Sequence, residues 1–371
     1  MIAKSINPAF GGGISRHTYE LVKALKKRGC DVTVACVRKP ENNMMNVNNK
    51  VLVSYFHLPI LDLISFNLNM LRKNLGNNVD IVHSQLSDGF IFSVVKKAPF
   101  VVTAHTSGVS DIRYVPKLNR HLVPYATCIV EKSMYRKADR IIAVSGYVAE
   151  SIQSEYGVNK NKIVIITNGV DTEKFRPNIN AEVIRNKYNI NGPLLLCVTR
   201  LAIGRFVEDL IPIAKAVSKE IPNVKIMIVG DGPLKHYLEK LRNQQGLTEK
   251  VIFVGRISDE LPYFYNAADL YFLPIDIGLT ALEACACGKP VVYIKRIETQ
   301  DEQLYNKTYS NENPIIAVNN IKEFVNSVLY LLKNENERKS LGIAARNTVI
   351  KHFSWERIAE KTTNVYQSLL S

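Results

Sequence analysis

Two successive series of short apolar, β-branched runs, each run followed by a helical pattern, constrain this chain more than any other feature. Strands that alternate with amphipathic helices specify parallel sheets with helices on their faces, because parallel neighbours need a long crossover. The first series predicts strands at MIAKSI, DVTVACV (31–37), VDIVHSQ (79–85), PFVVTAH (99–105), ADRIIAVS (138–145) and KIVIITNGV (162–170). Helices are expected from the glycines at 11–13 to about Arg28, near 122–138, and just before Lys162. The second series predicts strands PLLLCVTR (193–200), VKIMIVG (224–230), VIFVG (251–255), ADLYFLP (268–274) and PVVYI (290–294). Its helices are expected at 205–219, 234–245, 259–267 and 279–287, followed by helices near 321–333, 335–350 and 353–370.

Between the series, Pro177, Asn178, Asn180 and Asn191-Gly192-Pro193 loosen the pattern over 171–192, which predicts a linker. A chain of 371 residues suits two domains of ordinary size. Two matched α/β units imply two Rossmann-like domains, with ligands at the carboxyl ends of the strands and a cleft between the domains as the expected site. No apolar run reaches the roughly 18 residues of a membrane span, and MIAKSINPAF is too interrupted for a signal peptide. Cys30, Cys36, Cys128, Cys197, Cys285 and Cys287 lack metal-ligand spacing and read as reduced, buried thiols of a cytoplasmic protein.

Gly11-Gly12-Gly13 after a strand invites a dinucleotide reading, but the spacing fails. Position 16, where a third glycine would fall, is Arg16, and the second strand ends in Arg38-Lys39 rather than in an acid. The glycines are better suited to a tight turn into a helix or to close approach of backbone and ligand.

Nine segments in order carry a resemblance: GGGISRHTYELVKALKKRG, VVTAH, ADRIIAVS, ITNGVDTEKFRP, VTRL with Arg205, IVGDGP, VIFVGRIS, ADLYFLP and GLTALEACACGKPVV. Spread over residues 11–292, they resemble the retaining glycosyltransferases of family 4, group 1 glycosyl transferases of GT-B architecture. The resemblance implies a metal-independent hexosyltransferase that uses a nucleoside diphosphate sugar as donor, needs no cofactor and keeps the anomeric configuration. It also implies that the last helix crosses back, giving an acceptor-side domain of 1–176 plus about 355–371 and a donor domain of 177–354. Domain closure about the Asn168–Asp171 segment would gate the reaction.

Departure of a diphosphate needs fixed positive partners, and sugar hydroxyls need acceptors. Arg200 ends a strand and Arg205 follows, where the family usually has lysine; both suit phosphate. Gly278, Leu279 and Thr280 open a helix whose first N–H groups can receive the same phosphates, and Glu283 matches the family's ribose-binding glutamate. By resemblance, Gly12 and Gly13 approach the diphosphate or acceptor, His105 meets the donor sugar, and the backbone at Gly255 and Ile257 meets the base. The Arg256 side chain reads equally as a surface charge.

Two departures stand out. Phe206 occupies the place of an expected glycine, and Ile275 that of a loop carboxylate, in a loop that is also shortened. Asp276 is the nearest group able to replace that carboxylate. The candidate catalytic groups are therefore His105, Arg200, Arg205 and Asp276. A nucleotide-sugar-binding protein without turnover is the second reading these departures leave open. A sugar-nucleotide epimerase would need a pair of acid–base carboxylates that the sequence does not offer.

Charge bears on the acceptor. Residues 1–180 hold 24 Lys and Arg against 13 Asp and Glu, and 181–371 hold 24 against 21. The segments 61–76 and 113–140 mix these cations with apolar residues, which suits either an ordinary sheet-packing helix or docking on an anionic membrane with a lipid-linked or glycan acceptor. Nucleic acid is not an expected partner, because no binding motif or aromatic platform accompanies the charge.

Overall fold

The computed structural model describes residues 1–3, 12–36, 79–86, 90–95, 98–106, 122–275, 277–296 and 315–371. Asp276, the segment 61–76 and residues 113–121 lie outside the described residues. The chain divides into two compact units, Met1–Gly169 with Trp355–Ser371, and Val170–Ser354.

The first unit contains a six-stranded sheet of β1 (Ile2–Ala3), β2 (Ala35–Cys36), β3 (Val82–Gln85), β4 (Phe100–Ala104), β5 (Arg140–Ala143) and β6 (Ile163–Ile165). Its order is β2-β1-β3-β4-β5-β6, with every pair parallel. Helices α1 (Gly12–Lys27), α2 (Phe90–Val94), α3 (Leu122–Lys137) and α4 (Gly146–Tyr156) provide the crossovers.

The period of two along a strand sends alternate residues to opposite faces of this sheet. Phe100, Val102, Ala104, Ile141 and Ala143 join one buried cluster with Met134, Tyr135 and Ile152 from α3 and α4. Val101 and Ile142 join another with Leu21 and Leu25 of α1 and with Trp355, Ile358, Ala359 and Val365 of the last helix, Trp355–Leu370. Residues 355, 358, 359, 362 and 365 follow the spacing of one helical face, all buried, so this helix returns to cover the first sheet. Each of its large apolar side chains contributes about 1.5–3 kcal/mol by burial.

The second unit holds β7 (Leu194–Val198), β8 (Lys225–Val229), β9 (Val251–Gly255), β10 (Leu270–Leu273), β11 (Val291–Ile294) and β12 (Ile315–Val318) in the order β12-β11-β10-β7-β8-β9. All five pairings are parallel. Helices α5 (Glu182–Lys187), α6 (Leu210–Glu220), α7 (Lys235–Gln244), α8 (Leu261–Ala267), α9 (Leu279–Ala286), α10 (Ile321–Lys333) and α11 (Glu335–Phe353) pack on it; the last helix of the chain is α12. Among the described residues of this unit, one buried cluster runs from Val170 to Phe353.

The division falls at Gly169/Val170, seven residues before the expected 176/177 junction. Val170 donates its N–H to the Phe353 carbonyl at 2.8 Å, and Phe175 is buried in the second core, so this stretch belongs there. The expected linker 171–192 is largely structured. It carries α5, whose Arg185 donates to the carbonyls of Ala267 (2.7 Å) and Gly192 (2.5 Å), while Ile184 and Ile190 enter the core. The helix expected at 205–219 begins only at Leu210, after one 3-10 turn at Val207–Asp209. No described helix is long and apolar enough to cross a membrane.

Candidate donor site and its relatives

Both strand orders contain a reversal, and open parallel sheets bind ligands at the carboxyl edge where that reversal occurs. In the second sheet the chain runs β7-β8-β9 outward and then places β10 on the other side of β7. The loops leaving β7 and β10 therefore flank the switch point, and they carry Arg200, Arg205, Gly278, Leu279, Thr280 and Glu283. Gly255 and Ile257 stand at the same edge, at the end of β9. The expected donor residues of this unit are thus gathered along one sheet edge. Gly12, Gly13 and His105 belong to the first unit, at the start of α1 and just past β4.

Arg200 and Arg205 are both exposed. The turn after β8 fixes the backbone beneath them. Leu201 N–H donates to the Asp231 carbonyl at 3.0 Å, and Leu234 N–H returns to the Leu201 carbonyl at 3.0 Å. Gly230 makes that approach possible: at φ +145° a Cβ there would lie 1.8 Å from the Thr199 carbonyl oxygen. Farther along the loop, Phe206 takes a left-handed φ of +50°, a conformation that costs a non-glycine residue roughly 1–2 kcal/mol.

Across the switch point, α9 is capped by Gly278, which is extended at φ −142° and would meet no described residue within 4 Å if given a Cβ. The first N–H groups of a helix lack intrahelical partners and attract anions. One turn further, Glu283 is 2 % exposed. Tyr265, on α8, directs its hydroxyl at Glu283 Oε2 (2.9 Å) and the Thr280 carbonyl (3.0 Å). Tyr271, on β10, donates to Thr280 Oγ1 (2.8 Å) with the Val198 carbonyl at 3.2 Å, tying α9 to the end of β7. Burial and the neighbouring carboxylate raise the Tyr265 hydroxyl well above its ordinary pKa, and burial raises Tyr271 likewise, so both stay protonated donors. These tyrosines escape sequence reasoning because they read as core residues of an apolar helix and strand. The Asp276 position lies outside the described residues, and Ile275 packs against the core.

In the first unit, His105 Nε2 lies 2.8 Å from Gln85 Oε1, at the end of β3. Its ring meets His17 edge-on at 4.7 Å between centroids; His17 also abuts Trp355 at 5.3 Å. His17 Nδ1 is 2.9 Å from Asn168 Oδ1, and its buried Nε2 has no hydrogen-bond partner among the described residues. Desolvation lowers His17 to about 4 and His83 to about 3, and it holds His105 well below the usual histidine value. All three rings are neutral near pH 7. Asn168, expected in a hinge segment, thus supports a histidine, while Asp171 caps the next turn through the N–H groups of Glu173 and Lys174. Among the described residues there is no group of three or more His, Cys, Asp or Glu able to hold a metal.

Two parallel six-stranded α/β units, each with a switch point, define the class of two-domain GT-B proteins. Residues 11–174 match the model of glycosyltransferase family 4, and residues 180–348 match that of the glycosyl transferases group 1. The chain belongs to the group 1 glycosyltransferases of the family 4 type. It is 27 % identical over 410 residues to an uncharacterised glycosyltransferase of Methanocaldococcus jannaschii, covering 99 % of this chain and 97 % of the relative. To the GDP-mannose-dependent α-(1-6)-phosphatidylinositol monomannoside mannosyltransferase of Mycobacterium tuberculosis it is 26 % identical over 275 residues, 70 % of each chain. The fold is also that of HepE from Anabaena, crystallised with UDP-glucose, at a TM-score of 0.76 and 18 % identity over 99 % of this chain and 98 % of that one.

Proposed function

We propose that the protein moves a hexose from a nucleoside diphosphate to a hydroxyl of a glycan or lipid-linked acceptor, with the anomeric configuration kept. The observation that carries this reading is Glu283, a buried carboxylate one turn into the helix at the switch point, beside the loop of Arg200 and Arg205. A carboxylate so placed accepts from the two ribose hydroxyls, while the first-turn N–H groups and the arginines take the diphosphate. The bond from the anomeric carbon to phosphate oxygen breaks, the acceptor oxygen bonds to that carbon on the same face, and the acceptor proton passes to the leaving phosphate. The arginines and helix N–H groups stabilise the charge that develops on that phosphate, a task for which no divalent ion or cofactor is required. Neutral His105, with Nε2 turned to Gln85, presents Nδ1 as an acceptor for a sugar hydroxyl.

The relatives support a nucleotide-sugar donor of either the uridine or the guanosine type, since one is named GDP-mannose-dependent and one structure holds UDP-glucose. A panel of such donors, with mass spectrometry of the products formed on lipid extracts, tests the reading. Transfer from at least one donor is expected. Tight nucleotide binding with no turnover across the panel would instead establish the second reading, a binding protein, which the departures at Phe206 and Ile275 favour. We also propose a cytoplasmic location with peripheral contact to an anionic membrane, supported by the basic surplus of residues 1–180. Flotation with anionic liposomes at low salt is expected to carry the protein upward; its staying in the dense fraction would refute the contact.

A further inference from the structure

Arg296, two residues beyond the end of β11, touches both loops that flank the switch point of the second sheet. Its guanidinium lies over the Phe206 ring, 4.4 Å from the centroid. The same group forms an ion pair with Asp209. Its Nε donates to the Pro274 carbonyl at 3.0 Å. Phe206 and Asp209 close the loop of Arg200 and Arg205, whereas Pro274 is the root of the loop that leads to Gly278 and α9. One side chain therefore joins the phosphate-binding loop to the donor helix.

Its three contacts use different parts of one planar group: the central carbon lies over the ring, Nη2 meets the carboxylate and Nε the carbonyl. Together they fix both the position and the tilt of the guanidinium. A lysine ammonium keeps the charge but has no plane to stack and no fork to divide between two partners. Phe206 also sits in a left-handed conformation and is 37 % exposed, which neither core packing nor helix formation accounts for. Strain of this kind persists where surrounding contacts over-determine it, and the Arg296 stack is such a contact.

We infer that Arg296 is a positioning residue, a clamp that sets the separation between Arg205 and the α9 helix by holding Phe206 and Asp209 against Pro274. The inference rests on the donor site proposed above. Arg296 acts through the loops and need not touch the donor; Phe206 is the plate over which its guanidinium sits. With the clamp released, the donor must order the Arg205 loop as it binds, and affinity falls by the cost of that ordering.

Hydrogen exchange on the ligand-free protein reads the clamp without relying on turnover. In Arg296→Lys, amides of residues 201–209 and 277–280 are expected to exchange about ten-fold faster, while β7 and β8 keep wild-type protection. In steady-state assays the donor KM is expected to rise roughly ten-fold with the acceptor KM unchanged. Phe206→Gly removes the plate and relieves the backbone, so it keeps the melting temperature yet shows the same loosening. The double variant Phe206→Gly/Arg296→Lys is expected to lose no more than the worse single variant, because both remove one device. Wild-type exchange of 201–209 in Arg296→Lys, or losses that multiply in the double variant, would overturn the clamp. A wild-type protein that binds no nucleotide would refute the donor site instead, and the exchange data would still judge the clamp.

Discussion

Among the described residues, each unit buries a carboxylate against a tyrosine, and the two pairs stand at opposite edges of their sheets. In the second unit Glu283 meets Tyr265 at 2.9 Å; in the first, Glu131 meets Tyr156 at 2.7 Å. Chemically the pairs are alike, and in both the tyrosine is pushed up by burial and by the carboxylate. Position separates them. Glu283 is the fifth residue of α9 and so lies near the carboxyl edge from which that helix starts. Glu131 is the tenth residue of α3, which at 1.5 Å per residue places it roughly 13 Å down the helix, and Tyr156 is the last residue of α4. That pair lies towards the amino edge of its sheet, where open parallel sheets do not bind ligands. A buried carboxylate thus signals chemistry only with its sheet edge; elsewhere it ties helices together.

The comparison can be broken experimentally, most severely at Glu283. Glu283→Ala is expected to lower kcat/KM for the donor by about 10³-fold, near 4 kcal/mol of transition-state interaction, as is Arg200→Ala. The fold should persist in Glu283→Ala because Tyr265 keeps the Thr280 carbonyl as acceptor. Near-wild-type initial rates in either variant would remove the donor site.

Acidification should separate the units next. His17 and His83 bind protons at about 4 and about 3 in the folded first unit, against 6.5 when unfolded. Below pH 6.5 the unfolded chain takes up protons that the folded rings do not, so stability falls with pH and is fully present above 6.5. By pH 5 the loss is roughly 2 kcal/mol for each histidine. Trp355, the sole tryptophan, packs on His17 and reports this unit by fluorescence. Equal urea midpoints at pH 7.5 and pH 5 would contradict the expectation.

Glu131→Ala should behave as the inverse of Glu283→Ala. It strands the buried Tyr156 hydroxyl, costing roughly 1–3 kcal/mol of stability, and leaves the donor KM unchanged. A raised donor KM would erase the distinction between the edges. The smallest effect on stability is expected at Gly278→Ala, within about 0.5 kcal/mol, because its Cβ enters open space. Any rise in donor KM then measures ligand approach, whereas an unchanged KM would place the donor elsewhere.

Much of this was legible in the sequence where local pattern and burial agree. The runs LLLCV, KIMIV and VIFVG are strands β7–β9 to within a residue or two of expectation, because strands of a parallel sheet covered by helices are near-continuous apolar runs. Strand β12 is not among the expected strands: IIAV is only four residues long, directly follows Asn311-Glu312-Asn313-Pro314, and becomes a strand through its pairing with β11. Helix α5 was missed for a related reason, since Asn and Pro dominate its surroundings while Arg185, Ile184 and Ile190 fasten it from a distance. Glu283 was visible as an acid among apolar neighbours. Arg296 was not, because its significance lies in Phe206, Asp209 and Pro274, which are 90, 87 and 22 residues away in sequence.

The chain leaves the first unit at Gly169 and re-enters it at Trp355. Emerging from a ribosome, the second unit is complete once Ser354 is free, whereas the first still lacks the helix that covers Leu21, Leu25 and Ile142. The first sheet must therefore wait, with part of one apolar face uncovered, until Trp355–Leu370 has been made. During that interval the half made first is the half exposed to aggregation and to chaperones. A truncation that stops before Trp355 would leave it in that condition permanently.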